Sequence, residues 1–256
     1  MRMQIGFIGA GNMAGAMARG LGLPARVFDI DAVRAQTLAD EIGGTAAASN
    51  ADVVAASDLV VLCHKPAQLT AVAQDAAPAV TSTTIIVSLL GGVALADVRG
   101  AYPGARVFRI MPNTAVGIRA GVIGLVDDDA GDPAACAAVQ DLLSTVGELF
   151  VVPESQMAAL TAVSGVAPAY AALVAEAQID AAVRAGIPAP VAARLVGASL
   201  AGGVAILRRQ DMDTLGVRRA VTSPGGVTAR GLAALEAGGL RAAFDDAMDA
   251  VLGGGA

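Results

Sequence analysis

Short apolar runs, separated by longer stretches of helical character, fill the first part of the chain. The runs are Met3–Ile8, Arg26–Asp29, Leu59–Cys63, Thr84–Leu89, Val107–Met111, Val122–Val126 and Leu149–Val152. Between the first five lie segments long enough for crossover helices. That alternation predicts a largely parallel, doubly wound α/β sheet. After Pro153-Glu154 the pattern changes. Residues 155–210 and 228–252 read as long, Ala-rich helices, punctuated by Gly186-Ile187-Pro188 and by Ser223–Gly226. Two domains are therefore expected, residues 1–152 with the sheet and residues 153–256 all-helical.

The helical part carries an expectation about assembly. From Pro190 to Arg209 nearly every residue is small or aliphatic, with Val191, Leu195, Val196, Leu200, Val204, Ile206 and Leu207 spread around the helix. A helix apolar on most sides must be buried on most sides. About 100 residues cannot bury several such helices by themselves, so an intertwined homodimer is expected. The uncharged stretch from Ser155 to Ala175 is long enough to cross a bilayer. Its Ala content, its Thr161, Ser164, Gly165 and Pro168, and its flanking Glu154 and Glu176 favour a buried helix in a soluble protein, with no membrane partner.

Composition narrows the partners further. Hydrophobic residues make up 55% and charged residues 16%, so the chain has the material for a packed core. The net charge is −6 with 17 Lys+Arg, no basic cluster is present, and aromatics are 3%; no nucleic-acid partner is expected. Cys63 and Cys136 stand far apart, in neither a metal-type spacing nor a disulfide framework, which suits a reducing cytoplasm and no metal. The opening Met1-Arg2-Met3-Gln4-Ile5-Gly6 runs straight into a strand with no signal-peptide profile.

Gly9-Ala10-Gly11-Asn12-Met13-Ala14 follows the first strand and opens a helix running to about Leu21. It fits G-x-G-x-x-G/A, the phosphate-binding turn of a Rossmann domain. Gly9 permits the tight turn, Gly11 leaves room for a pyrophosphate, and Ala14 lets helix and strand pack closely. The free N–H groups and positive end of the helix then face the phosphates. Asp29 lies twenty residues after Gly9, at the end of the second strand. An acid there binds the adenosine ribose 2′-OH and repels a 2′-phosphate, which weakly favours NADH over NADPH. Arg34, one helical turn on, is placed to pair with a phosphate and argues the other way.

The rest of the chemistry follows by elimination. His64 is the one histidine and Lys65 the one lysine, adjacent just past a strand on the ligand-binding edge of an open α/β sheet. The helical domain holds no His, Lys or Cys. Carbonyl reduction needs an acid to protonate the developing alkoxide. An imine is protonated before hydride arrives, so orientation by a hydroxyl is enough. His64 and Lys65 are read as cofactor-edge residues, and the cysteines as buried packing residues.

At this point the chain resembles the Δ1-pyrroline-5-carboxylate reductase family. The resemblance is carried by Gly6-Phe7-Ile8-Gly9-Ala10-Gly11-Asn12-Met13-Ala14, Lys65-Pro66, Val87-Ser88 and Met111-Pro112-Asn113-Thr114. Ser164-Gly165 with Pro168-Ala169-Tyr170, Glu176-Ala177, Ser223-Pro224-Gly225-Gly226-Val227-Thr228 and Leu235-Glu236 extend it. It implies NAD(P)H-dependent reduction of a cyclic imino acid to L-proline, and a helical dimerisation domain. The Ser-Pro-Gly-Gly loop would hold the substrate carboxylate, and Thr228 would stand beside the substrate nitrogen as the catalytic hydroxyl. Ser223 and Pro224 also read independently as a helix N-cap and first turn. The substrate-binding set is Ser164, Ser223, Gly225, Gly226, Val227 and Thr228. The cofactor-binding set is Gly9, Gly11, Asn12, Met13, Ala14, Asp29, Asn50, His64, Lys65, Pro66, Met111 and Asn113. Three departures stand out: Val166-Ala167 where the family reads Ser-Gly, Ala115 where it reads Pro, and Gly91-Gly92 where it reads Ala-Gly. The change at 166–167 bears most on function, because that helix start faces the substrate in the family. Alternatives are a reductase of another cyclic imino acid, or a silent relative that binds cofactor without turnover.

Overall fold

A computed structural model describes residues 3–128 and 132–253 of the chain. By internal contacts the chain divides after Pro168.

The first unit is built on one sheet of β1 (Ile5–Ile8), β2 (Ala25–Phe28), β3 (Thr45–Ala46), β4 (Leu59–Leu62), β5 (Ile85–Ser88), β6 (Arg106–Pro112), β7 (Gly121–Val126) and β8 (Gly147–Val152). The order across it is β3-β2-β1-β4-β5-β6-β7-β8. All neighbours are parallel except β6 and β7. The first six strands thus have the doubly wound order of a Rossmann sheet. All seven apolar runs of the sequence became strands. β3, two residues long, was not foreseen.

The crossovers are α1 (Asn12–Leu21), α2 (Ala32–Glu41), α3 (Asn50–Ala55), α4 (Leu69–Ala76), α5 (Leu95–Ala101) and α6 (Pro133–Ser144). β4 shows why the strand runs are continuously apolar. Leu59 and Val61 enter a core cluster on one face with Met17, Leu38 and Val139, while Val60 and Leu62 enter the other with Val54, Ala73 and Val98. A parallel strand covered by helices on both faces has no polar side to show. Asp31 caps α2, Ser49 caps α3 and Asp132 caps α6, each with its side-chain oxygen.

α7 (Met157–Ser164) packs on β6 and β7 and so belongs with the sheet by contact, although it lies beyond the last strand. Gly124 of β7 has no room for a Cβ, because Leu160 of α7 presses against it at 2.8 Å.

The second unit contains α8 (Ala167–Arg184) from its third residue on, α9 (Ala189–Arg209), α10 (Thr214–Ala220), α11 (Val227–Ala237) and α12 (Leu240–Gly253). Tyr170 and Phe244 meet edge-on with ring centroids 6.3 Å apart. Few of its residues are buried: Ala192 and Val196 are, while Leu173, Leu195, Val204, Leu235 and Phe244 are exposed. The expectation of buried helices is therefore not met within a single chain. Glu154–Arg184 and Ala189–Arg209 are long and apolar enough to cross a membrane by length and composition alone.

Candidate active site

β1 and β4 are neighbours at the point where the strand order reverses, and their C-terminal ends open a crevice. Gly9 turns the chain there with φ +101°, and a Cβ on it would meet Cys63 C at 2.7 Å, Cys63 O at 2.8 Å and His64 N at 2.9 Å. Only glycine fits. Its N–H donates to Phe28 O at 2.7 Å, and Ala10 N–H donates to Asp29 Oδ2 at the same distance. Gly11, by contrast, has open space where a Cβ would stand. It is the N-cap of α1 and supplies no side-chain cap, so the first-turn N–H groups are left for a bound anion.

The crevice is a cleft of about 430 Å³ lined by Gly9, Gly11, Asp29, Asn50, His64 and Lys65, with Asp31, Arg34 and Gln68 at its margins. The six residues come from the loops after β1, β2 and β4 and from the start of α3. Asp29 does two things: Oδ2 holds the glycine turn and Oδ1 accepts from Asp31 N at 2.9 Å. Arg34 lies 3.3 Å from Asp31 in an exposed pair.

Asn50 is buried, and its N–H and Nδ2 both donate to Asp75 Oδ2, at 3.1 and 2.8 Å. His64 Nδ1 lies 2.9 Å from Lys65 O. A carbonyl only accepts, so Nδ1 carries the proton and Nε2 is an acceptor. Asn50 Oδ1 and His64 Nε2 are both enclosed, with no hydrogen-bond partner among the described residues. Burial pushes the imidazole below its ordinary 6.5, opposed in part by the bond to Lys65 O. The Cys63 thiol, enclosed although its residue as a whole is half-buried, is pushed up to about 12 by burial.

These features fit a dinucleotide: a glycine cradle, an uncapped helix end for phosphates, and acceptors for ribose hydroxyls. Other expected cofactor residues lie outside the cleft lining. Asn12 opens α1 on a neighbouring groove, and Ala14 is fully buried beneath it. Met13 packs against the first core cluster and Met111 against the second. Pro66 opens a short 3-10 turn, Pro66–Gln68. The buried Asn113 is a bracket: its Nδ2 donates to Ser164 O at 3.1 Å, and its Oδ1 accepts from Val122 N at 3.2 Å. Ser164 is buried, with Oγ donating to Leu160 O at 2.9 Å.

In the second unit Ser223, Gly225, Gly226, Val227 and Thr228 form one structure. Gly226 N–H donates to Ser223 O at 3.0 Å across a turn with Pro224 second and Gly225, at φ +66°, third. That residue order is the type II arrangement. A Cβ on Gly226 would collide with Ser223 Oγ. The reading of Ser223 and Pro224 as N-cap and first helical turn is corrected here, because the left-handed Gly225 delays the helix. Gly226 is the N-cap of α11, with no side-chain cap, and Val227 and Thr228 are its first residues. Thr228 is half-buried. Sequence reasoning missed Asp75 and Gln68. Gln68 Oε1 accepts from Lys65 N at 3.1 Å, a contact that its i+3 spacing suggests.

Fold and cleft together define a dinucleotide-binding protein, with a Rossmann domain followed in sequence by a helical unit. Comparison with known proteins sharpens this. Residues 4–92 match the family model described as NADP oxidoreductase coenzyme F420-dependent, and residues 154–253 match pyrroline-5-carboxylate reductase dimerisation. A pyrroline-5-carboxylate reductase of Pseudomonas aeruginosa is 36% identical over 96% of this chain and 93% of its own length. The enzyme of Methanosarcina acetivorans is 32% identical over 96% and 94%. Among solved structures, the pyrroline-5-carboxylate reductase of Coxiella burnetii superposes with a TM-score of 0.88 at 28% identity, covering 100% of this chain and 98% of that one. The chain belongs to the pyrroline-5-carboxylate reductase family.

Proposed function

We propose that the protein reduces Δ1-pyrroline-5-carboxylate to L-proline with a reduced nicotinamide dinucleotide, as a soluble cytoplasmic enzyme. The observation that carries this is 36% identity spread over 96% of the chain, with both functional turns intact. When bound, the cofactor supplies the hydride that saturates the C=N carbon. The chain's own residues bind and orient. The Gly9–Ala14 turn and the α1 end hold the pyrophosphate. Asp29, Asn50 and His64 accept hydrogen bonds from the adenosine ribose, with Lys65 at the cleft edge. In the helical unit, the uncapped N–H groups at the start of α11 hold the substrate carboxylate, and the Thr228 hydroxyl orients the imine nitrogen. No strong acid is required, because the imine nitrogen is protonated before hydride arrives and stays in the product ring as a secondary amine.

NADH is the preferred cofactor in this reading. Asp29 and Asp31 put carboxylates at the ribose end of the cleft, and Arg34 is engaged with Asp31. A 2′-phosphate brings only acceptors and negative charge to that end. The working assembly is an intertwined homodimer, supported by the dimerisation match over residues 154–253 and by the exposed Leu195, Val204, Leu235 and Phe244. A second copy of the same helices buries those side chains at roughly 25 cal/mol per Å² of apolar surface removed from water.

One observation favours a second substrate. Val166, between α7 and α8, places a branched apolar side chain where the family carries a hydroxyl, which suits a different cyclic imino acid. The test is product identification. Purified protein with pyrroline-5-carboxylate and NADH should yield L-proline by chiral chromatography. Protein that binds NADH and yields none with either cofactor refutes the proposal.

A further inference from the structure

Asn50 and Asp75 are 25 residues apart and belong to α3 and α4. Two donors of Asn50, its backbone N–H and its Nδ2, converge on the same oxygen of Asp75. A carboxylate accepts and does not donate. The amide of Asn50 therefore cannot turn over without setting oxygen against oxygen. Its Oδ1 is left on the far side of the planar amide, enclosed and without a partner among the described residues, in a residue that lines the cofactor cleft. A buried acceptor lacking a donor is costly, and a ligand hydroxyl removes that cost. At the 2′ position of the ribose a phosphate brings acceptors alone, where the unphosphorylated cofactor brings a hydroxyl. His64 Nε2, enclosed and unpartnered in the same cleft wall, makes the same demand independently.

We propose that Asp75 is a positioning residue for cofactor choice: it locks the Asn50 amide with its oxygen serving the cleft, and so selects a hydroxyl over a phosphate on the adenosine ribose. The inference rests on the assignment of this cleft to the cofactor. Asp75 does not touch the cofactor; it acts through Asn50. Because Asp75 is itself exposed, its replacement removes the lock without opening the core.

The experiment is equilibrium binding of NADH and NADPH to the full chain, without imine substrate, for wild type, Asp75→Asn and Asp75→Glu. An asparagine at 75 both donates and accepts, so the Asn50 amide is free to turn its NH2 towards the cleft. Asp75→Asn should move the ratio of the two Kd values about tenfold towards NADPH, and Asp75→Glu, which keeps an acceptor-only partner, should stay within about twofold of wild type. A residue with a structural role alone weakens both cofactors equally, and an unchanged ratio in Asp75→Asn overturns the inference. Should Asp75→Asn fail to fold, Asn50→Leu deletes the acceptor directly. It must weaken NADH more than NADPH, and equal weakening overturns the inference as well. The change in ratio is read against wild type, whichever cofactor wild type prefers. A wild-type preference for NADPH, or absence of imine turnover, therefore fails the functional proposal separately.

Discussion

Replacing Gly9 with alanine separates the physics of the turn from the chemistry it serves. The backbone at Gly9 stands at φ +101°, where an L-residue pays about 1–2 kcal/mol even in the nearby left-handed well. The added methyl also meets Cys63 C, Cys63 O and His64 N at 2.7, 2.8 and 2.9 Å. All three are backbone atoms at the end of β4 and cannot rotate away, so β4 or the turn must shift. Overpacking of that kind costs about 1–3 kcal/mol. Gly9→Ala should therefore lose about 2–5 kcal/mol of unfolding free energy in denaturant titrations at fixed protein concentration. Gly11 is the control. Its Cβ position is open, so Gly11→Ala should unfold within about 1 kcal/mol of wild type yet bind NADH at least about tenfold more weakly, because the methyl stands where the pyrophosphate approaches. A Gly9→Ala protein with wild-type stability and NADH affinity would refute the reasoning about this turn.

Three further outcomes follow from the same structure. Thr228→Ala should lower kcat by about 100-fold with NADH Kd unchanged, Thr228→Ser should recover most of it, and a normal kcat in Thr228→Ala removes the hydroxyl from the mechanism. The Cys63 thiol, pushed up to about 12 by burial, should resist alkylation in the native protein at mildly alkaline pH and react once the chain is unfolded; fast native labelling assigned to Cys63 by mass spectrometry would contradict its enclosure. Because burial lowers the folded His64 value below 6.5, its share of stability is complete above that pH and is lost as pH falls towards the folded value. Wild type should lose more stability than His64→Gln between neutral pH and about pH 5, and parallel curves would contradict this.

Much of this was legible in the sequence because burial on both faces leaves little ambiguity. A run such as Leu59–Leu62 has no polar alternative, and the Gly9–Ala14 spacing is dictated by a steric requirement. β3 escaped because Thr45 and Ala46 are two residues held by their pairing with Arg26 and Val27 of β2 rather than by any pattern of their own. The start of α11 was misplaced because Ser223 and Pro224 satisfy the local preferences for N-cap and first turn, while the decisive event is the left-handed Gly225 after them. Asn113, expected at the cofactor, also has both ends of its amide engaged, by Val122 and Ser164, a fact that depends on α7 folding onto β7 and that no local pattern announces. The Asn50–Asp75 pair is a tertiary contact between α3 and α4, and no spacing rule announces it.

Most directly, the central claim is tested by the kcat/KM for pyrroline-5-carboxylate against its six-membered-ring homologue, with NADH and NADPH in parallel. The account predicts preference for the five-membered imine and faster turnover with NADH. Preference for the larger ring would contradict the substrate assignment and point to Val166, and no turnover of either imine by protein that binds NADH would contradict the enzyme itself.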